Sequence, residues 1–415
     1  MPRVDALTGL RWWAAFLVFG YHMQVFAPVP GVTSAILGQG YLGVTFFFVL
    51  SGFVLTWSAS KRVSQSTFYW RRFARIYPSH FVALLLAIPV FYSFTPDAAP
   101  DWVKPVSVPI LALSFVLLQG WSLTPNILFS GNPAAWTLTC EAFFYAIHPY
   151  VSKVLMPLGK RGALWFAAGI IGLAFAYRGI ALFVPESHFG VLPPPLVHVS
   201  EFILGMCVAW GFRRGWHPRI PVLLGLVCMV ATLLGIVGLP AVFPGSVVAH
   251  IVTGFGTEIF TVACALAIVA IAQRAIDGRR SAFAWRVQVR LGEWSYAFYL
   301  VHATVMYSAL ALFGSQARSW TNLWWYALLL GVAIAVAAAL HHWVEKPLET
   351  RMRAWKDNRS GPKTRGPREP RGKQLSGSAV LSGDAVLSGD AAPSEDAAQR
   401  VERVSGSALP DQEAP

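Results

Sequence analysis

Hydrophobic residues in this chain come in long blocks. Stretches near 7–28, 39–59, 76–94, 106–121, 135–152, 162–182, 195–212, 220–239, 249–272, 291–313 and 323–345 are predominantly apolar. Most of these blocks have about the 17–25 residues that an α-helix needs to cross a hydrocarbon core roughly 30 Å thick. The pattern predicts an all-α, polytopic membrane protein embedded in a lipid bilayer. Composition agrees: of 415 residues, 55% are hydrophobic and 13% charged, about half the charged share of a soluble domain. The 17 Trp and 12 Tyr suit aromatic belts at the two membrane surfaces.

Basic residues decide how many of the blocks cross. Connections rich in Lys and Arg stay on the cytoplasmic side. Lys61, Arg62, Arg71, Arg72 and Arg75 follow the second block, which places that connection, and the N-terminus with it, inside. If every later block crossed, Lys153, Lys160, Arg161 and the cluster from Arg274 to Arg290 would fall outside. The block 106–121 is the weakest, flanked by Pro105, Pro109 and Pro125. If it re-enters or lies at the interface, the connections bearing Lys153, Arg213, Arg214, Arg219 and Arg274 all return to the cytoplasm. Ten crossing helices with both termini inside are therefore expected. The net charge of +13 belongs to these connections. No basic patch interleaved with exposed aromatics accompanies it, so no nucleic-acid partner is expected.

The membrane domain is expected over 1–350 and a cytoplasmic, disordered tail over 351–415. Residues 356–373 are basic and rich in Gly and Pro, and LSGSAV-LSGDAV-LSGDAA follows. Three six-residue repeats cannot stack into a core, and small polar residues suit a disordered segment. The first block contains Arg11 and His22 and lacks a clear small-x-small cleavage site, so it reads as a retained helix. Cys140, Cys207, Cys228 and Cys264 sit in apolar stretches without a C-x-x-C pair. They read as small buried hydrophobes, not as a disulfide or zinc framework.

Ionisable groups inside hydrocarbon cost free energy and usually line a cavity. Arg11 and His22 are eleven positions apart, nearly one helical face and roughly 16 Å along the axis. A cation near one end and a base deeper in match the reach of a phosphopantetheine arm. The alternative is an arginine snorkelling to headgroups and a histidine bonded to another helix. Arg72 and Arg75 are three apart, a guanidinium pair suited to phosphate or simply a basic loop. Glu141 can orient His22, bind an acceptor hydroxyl or form a structural ion pair. His148 is expected near the interface. Ser295, Tyr299 and His302 share roughly one face as further cavity candidates, His302 also reading as a satisfied core histidine. Gly43, Ser51 and Gly52 suit close helix packing. Glu201 and Glu258 have no assigned role, and Glu345-Lys346-Pro347 is expected to end the last helix.

Taken together, these positions form an ordered set. R-x10-H (Arg11, His22), FFFVLSGF, R-x-x-R-x-x-P (Arg72, Arg75, Pro78), W-[ST]-L-x-x-E (Trp136 to Glu141), S-Y-x-x-Y-L-x-H (Ser295 to His302) and E-K-P spread over residues 5–350. The set resembles the integral-membrane acyltransferase-3 family. The opening DALTGLRWWAAF is similar to the branch that acylates macrolide antibiotic sugars.

The resemblance implies transfer of an acyl group from acetyl-CoA or a short-chain acyl-CoA to a hydroxyl, usually on a sugar, in the bacterial cytoplasmic membrane. It implies functional roles for His22, Arg11, Arg72 and Arg75. The expected mechanism has His22 as general base with Glu141 in support. Arg11, Arg72 and Arg75 hold the CoA phosphates, and no metal is required. O-acetylation of a cell-envelope polysaccharide or glycolipid is the alternative acceptor chemistry. A transporter or flippase is the alternative from another class, although no inverted repeat supports it.

Overall fold

Sixteen α-helices carry nearly all the structure of residues 4–60, 63–95, 100, 102–184 and 192–360, the part of the chain that the computed structural model describes. The first six are α1 (Asp5–Phe26), α2 (Gly31–Gly38), α3 (Gly43–Ser58), α4 (Gln65–Phe91), α5 (Val108–Phe115) and α6 (Pro125–Leu128). Then come α7 (Trp136–Leu155), α8 (Lys160–Phe183), α9 (Pro194–Val197), α10 (Val199–Arg213) and α11 (Val222–Val242). The last five are α12 (Val247–Gly254), α13 (Gly256–Ile276), α14 (Arg286–Phe313), α15 (Leu323–Leu340) and α16 (Lys346–Ser360). Among the described residues the strands are a two-residue parallel pair, Tyr92–Ser93 with Lys104–Pro105. By length and composition alone, eight helices can cross a membrane. Lys61, Arg62 and the tail repeats lie outside the described residues.

The block at 106–121, expected to re-enter or lie at the interface, contains only the eight-residue α5, about 12 Å of helix and far short of a span. Leu117, at φ 59°, turns the chain just after it. The basic connection before residue 76 is not a loop, because α4 begins at Gln65, eleven residues early. Ser64 caps it, its hydroxyl accepting from the Thr67 N–H at 3.2 Å. Arg71, Arg72 and Arg75 therefore sit on the first turns of a long helix that runs through Pro78.

Glu345-Lys346-Pro347 does not stop the last helix either. A π turn over His341–Glu345 leads directly into α16, so Pro347 lies in a continuous helical run, beside a local π bulge of the backbone. The tail boundary expected at 350 consequently moves past Ser360. Residues beyond 350 dock on α4, with the Trp70 indole donating to the Met352 carbonyl at 2.7 Å and Arg71 paired to Asp357 at 2.9 Å. His148 is 4% exposed, stacked on Phe68 with ring centroids 5.0 Å apart and 3.3 Å from the Thr56 hydroxyl near the end of α3.

Close packing follows from missing side chains. A Cβ on Gly52 of α3 would lie 1.9 Å from the Phe202 carbonyl oxygen on α10. A Cβ on Gly205 of α10 would lie 1.9 Å from that of Val49 on α3. The two helices thus meet backbone to backbone, as small-residue contacts allow in membranes. The same device joins α1 to α14, where a Gly292 Cβ would be 1.8 Å from the Thr8 carbonyl oxygen. Phe19, Phe46, Phe53, Phe144, Phe202, Phe260 and Phe298 fill the space between these inner helices. The four cysteines are free; Cys140, Cys207 and Cys264 are buried and Cys228 is half-buried.

Gly52→Leu and Gly205→Leu should each destabilise the protein by about 3 kcal/mol or more, because the backbones must separate to admit a side chain. Melting in detergent checks this against Gly172→Leu on α8, where a Cβ meets nothing within 4 Å and little change is expected.

Candidate active site

Six helices meet around a cavity of about 340 Å³. Each contributes polar groups that its sequence alone would not place in hydrocarbon. α1 supplies Arg11, α3 Ser51, α4 Arg72 and Arg75, and α7 Thr137, Glu141 and Tyr145. Ser295, Tyr296 and Tyr299 come from α14, and Glu349 and Arg353 from α16. A second cavity of about 510 Å³ shares Arg11, Leu50, Val54, Arg75 and Glu349 with the first and extends to Ser58 and Lys346. The two adjoin through these shared residues and form one crevice.

The guanidiniums fall into two groups. Arg75 forms ion pairs with Glu345 and, at 3.1 Å, with Glu349, which also pairs with Arg353. Glu345 is only 1% exposed, so this network binds α4 to the π turn and α16. Among the described residues Arg11 and Arg72 form no ion pair. Arg11 lies 6.0 Å from the centre of the Phe47 ring. Arg72 lies 5.9 Å from both the Phe68 and Tyr145 rings. Cation–π contacts at this range hold a guanidinium in place without using its N–H groups, which stay available to an anion. Glu141 accepts a hydrogen bond from the Tyr145 hydroxyl.

Six of the eight residues expected from sequence therefore line this one cavity: Arg11, Arg72, Arg75, Glu141, Ser295 and Tyr299. Ser51, expected only to pack, joins them. The other two, His22 and His302, do not line it but face each other, with ring centroids 5.0 Å apart. Tyr299 adjoins both regions: it lines the cavity, and its ring is 5.6 Å from that of His302. Its hydroxyl accepts from Thr137 at 3.1 Å and donates to the Ala134 carbonyl at 3.2 Å. The expected support of His22 by Glu141 is not formed, because Glu141 hydrogen-bonds Tyr145 inside the cavity.

The two unassigned carboxylates pair elsewhere, Glu258 with Arg178 at 3.0 Å and Glu201 with His198 at 2.9 Å. Sequence reasoning missed Glu349, at the very end of the expected membrane domain, and Arg353, which was counted in the tail. Their i,i+4 spacing was the available signal.

A family model described as an acyltransferase domain matches residues 4–342. The chain belongs to the acyltransferase-3 family. It is 35% identical over 376 residues to the acyltransferase MdmB of Streptomyces mycarofaciens, a match covering 83% of this chain and 91% of that protein. It is 28% identical over 196 residues to the peptidoglycan O-acetyltransferase OatA of Listeria monocytogenes, covering 44% of this chain and 29% of that protein. It is also 27% identical over 168 residues to the O-acetyltransferase OatA of Staphylococcus aureus, covering 37% and 26%. No solved structure matches the chain. This acyltransferase-3 protein is an enzyme that transfers acyl groups other than aminoacyl groups. The family match takes in every residue of the α1, α3, α4, α7 and α14 walls and ends before Glu345, Glu349 and Arg353.

The Arg75 network makes a stability prediction. Arg75→Ala leaves the Glu345 carboxylate buried without its cation and should cost about 3–5 kcal/mol. Adding Glu345→Gln should recover most of that loss, which a double-mutant cycle of melting temperatures measures.

Proposed function

We propose that the protein is an O-acyltransferase that moves an acetyl or other short acyl group from acyl-CoA to a hydroxyl of a sugar-bearing acceptor. Ten helices cross the bacterial cytoplasmic membrane with both ends at the cytoplasmic face, and the crevice opens to that side. The observation that carries this reading is the pair of guanidiniums, Arg11 and Arg72, on the cavity wall without an ion pair among the described residues. Unpaired cations in an apolar bundle are costly, and an anionic ligand offsets that cost. The phosphates of CoA are such a ligand, entering from the cytosol.

In this mechanism the pantetheine arm runs from Arg11 along α1 toward His22, and the acyl end passes Tyr299. Neutral His22 accepts the proton of the acceptor hydroxyl. The oxygen attacks the thioester carbonyl, the C–S bond breaks, and the departing CoA sulfur takes the proton from His22. The products are the ester and free CoA. The acceptor we put first is a macrolide sugar. The opening DALTGLRWWAAF, similar to the macrolide-acylating branch, supports it. The match to 29% of a peptidoglycan O-acetyltransferase supports envelope glycan as the second acceptor class.

One observation favours a second assignment of the base. Glu141 lines the cavity and His22 does not. With Glu141 as base, the hydroxyl would be deprotonated beside Tyr145, and His22 would be dispensable.

Purified protein should release CoA thiol from acetyl-CoA only when an acceptor is present. His22→Ala should lower kcat at least about 100-fold, whereas Glu141→Gln should retain measurable turnover. Equal turnover by His22→Ala and wild type would transfer the base role to Glu141. Arg11→Ala and Arg72→Ala should each raise KM for acyl-CoA about 10–100-fold, the worth of a charge-assisted hydrogen bond. Acceptor movement across vesicles without thiol release would favour a transporter over the enzyme.

A further inference from the structure

His302 is 1% exposed, and the two nitrogens of its ring have different surroundings. Nδ1 lies 2.7 Å from the Tyr299 carbonyl oxygen. A carbonyl only accepts, so Nδ1 carries the hydrogen, and in the neutral ring Nε2 is left with a lone pair. Nε2 is buried and has no hydrogen-bond partner, although buried polar atoms normally have one.

Three rings pack on this imidazole: His22, Tyr299 and Phe298, with centroids at 5.0, 5.6 and 5.9 Å. Phe298 has nothing to donate. The Tyr299 hydroxyl is already committed to Thr137 and the Ala134 carbonyl. His22 is the remaining neighbour among these rings with an N–H to offer.

We propose that His302 is the positioning residue of the acyl-transfer base: when the acyl donor binds, the adjoining His22 ring turns to give its N–H to the free Nε2 of His302. This rests on the reading of His22 as the base. The hydrogen bond fixes the His22 tautomer, so that its other nitrogen presents a lone pair to the acceptor hydroxyl. When His22 takes that proton, His302 shares the positive charge, and the Tyr299 carbonyl holds His302 in register. The arrangement is an imidazole version of the orienting group behind a catalytic histidine, built without a buried carboxylate.

The test uses the full chain in detergent, with acetyl-CoA and the acceptor that supports turnover. His302→Asn keeps a donor near the Tyr299 carbonyl and removes the Nε2 lone pair. His302→Gln places an amide oxygen near the Nε2 position. His302→Phe keeps the ring in the stack and offers no lone pair. The asparagine and phenylalanine variants should lower kcat about 10–100-fold, the usual effect of removing an orienting partner, with KM for acetyl-CoA unchanged. The glutamine variant should regain most of kcat. A merely structural histidine would not separate asparagine from glutamine, and would move melting temperature and KM together.

Wild-type kcat in either folded variant that lacks the lone pair overturns the proposal. If His22→Ala is inactive in the same assay, the reading of His22 as base survives that result. A fully active His22→Ala overturns both.

Discussion

A guanidinium inside a helical bundle must be paired, face water or wait for an anion, and this constraint organises the polar end of the molecule. The bundle places Arg11, Arg72, Arg75 and Arg353 around one cavity and treats them differently. Arg75 and Arg353 are neutralised by Glu345 and Glu349, which fastens α16 against α4 and closes one wall. Arg11 and Arg72 are steadied by aromatic rings. The paired cations give the cavity its shape, and the others give it an appetite for negative charge.

That electrostatic arrangement depends on how closely the inner helices approach. Arg11 reaches the cavity because α1 and α14 touch through Gly292, and Ser51 because α3 and α10 meet through Gly52 and Gly205. The far side of the site is set by the irregular segment between α4 and α7. Asn132 donates to the Leu300 carbonyl at 2.7 Å, and the Ala134 carbonyl receives Tyr299. This stretch positions the start of α7, and with it Thr137 and Glu141. A break in a hydrophobic block thus brings the reacting side chains together. Backbone that is not helical persists at such depth only where it is buried in protein.

Much of this was legible in the sequence because the bilayer makes exceptions conspicuous. Arg11, Glu141 and His302 stand out in apolar blocks, and the short reach of α5 was foreshadowed by its flanking prolines. The ends of helices were less legible. Arg72 and Arg75 looked like a loop because charge density masks helicity in a hydropathy reading. Glu349 and Arg353 were hidden behind Pro347, whose stop signal fails here because a π turn carries the helix on through it. Pairing was not legible at all. Sequence spacing aligned His22 with Arg11 on one helix, yet the neighbours that decide its chemistry, His302 and Tyr299, come from another helix some 280 positions away. Glu141 was matched to the wrong partner for the same reason.

The account stands on Arg11 and Arg72 as the anion-binding wall of a cytoplasmic acyl-donor site. An electron cryomicroscopy structure of the protein with a thioether analogue of acetyl-CoA addresses it most directly. The account predicts CoA phosphate oxygens within hydrogen-bonding distance of both guanidiniums, the Arg75–Glu345 pair intact, and the acyl end past a displaced Tyr299 near His22. Phosphates bound elsewhere, with Arg11 and Arg72 still facing an empty cavity, would contradict it.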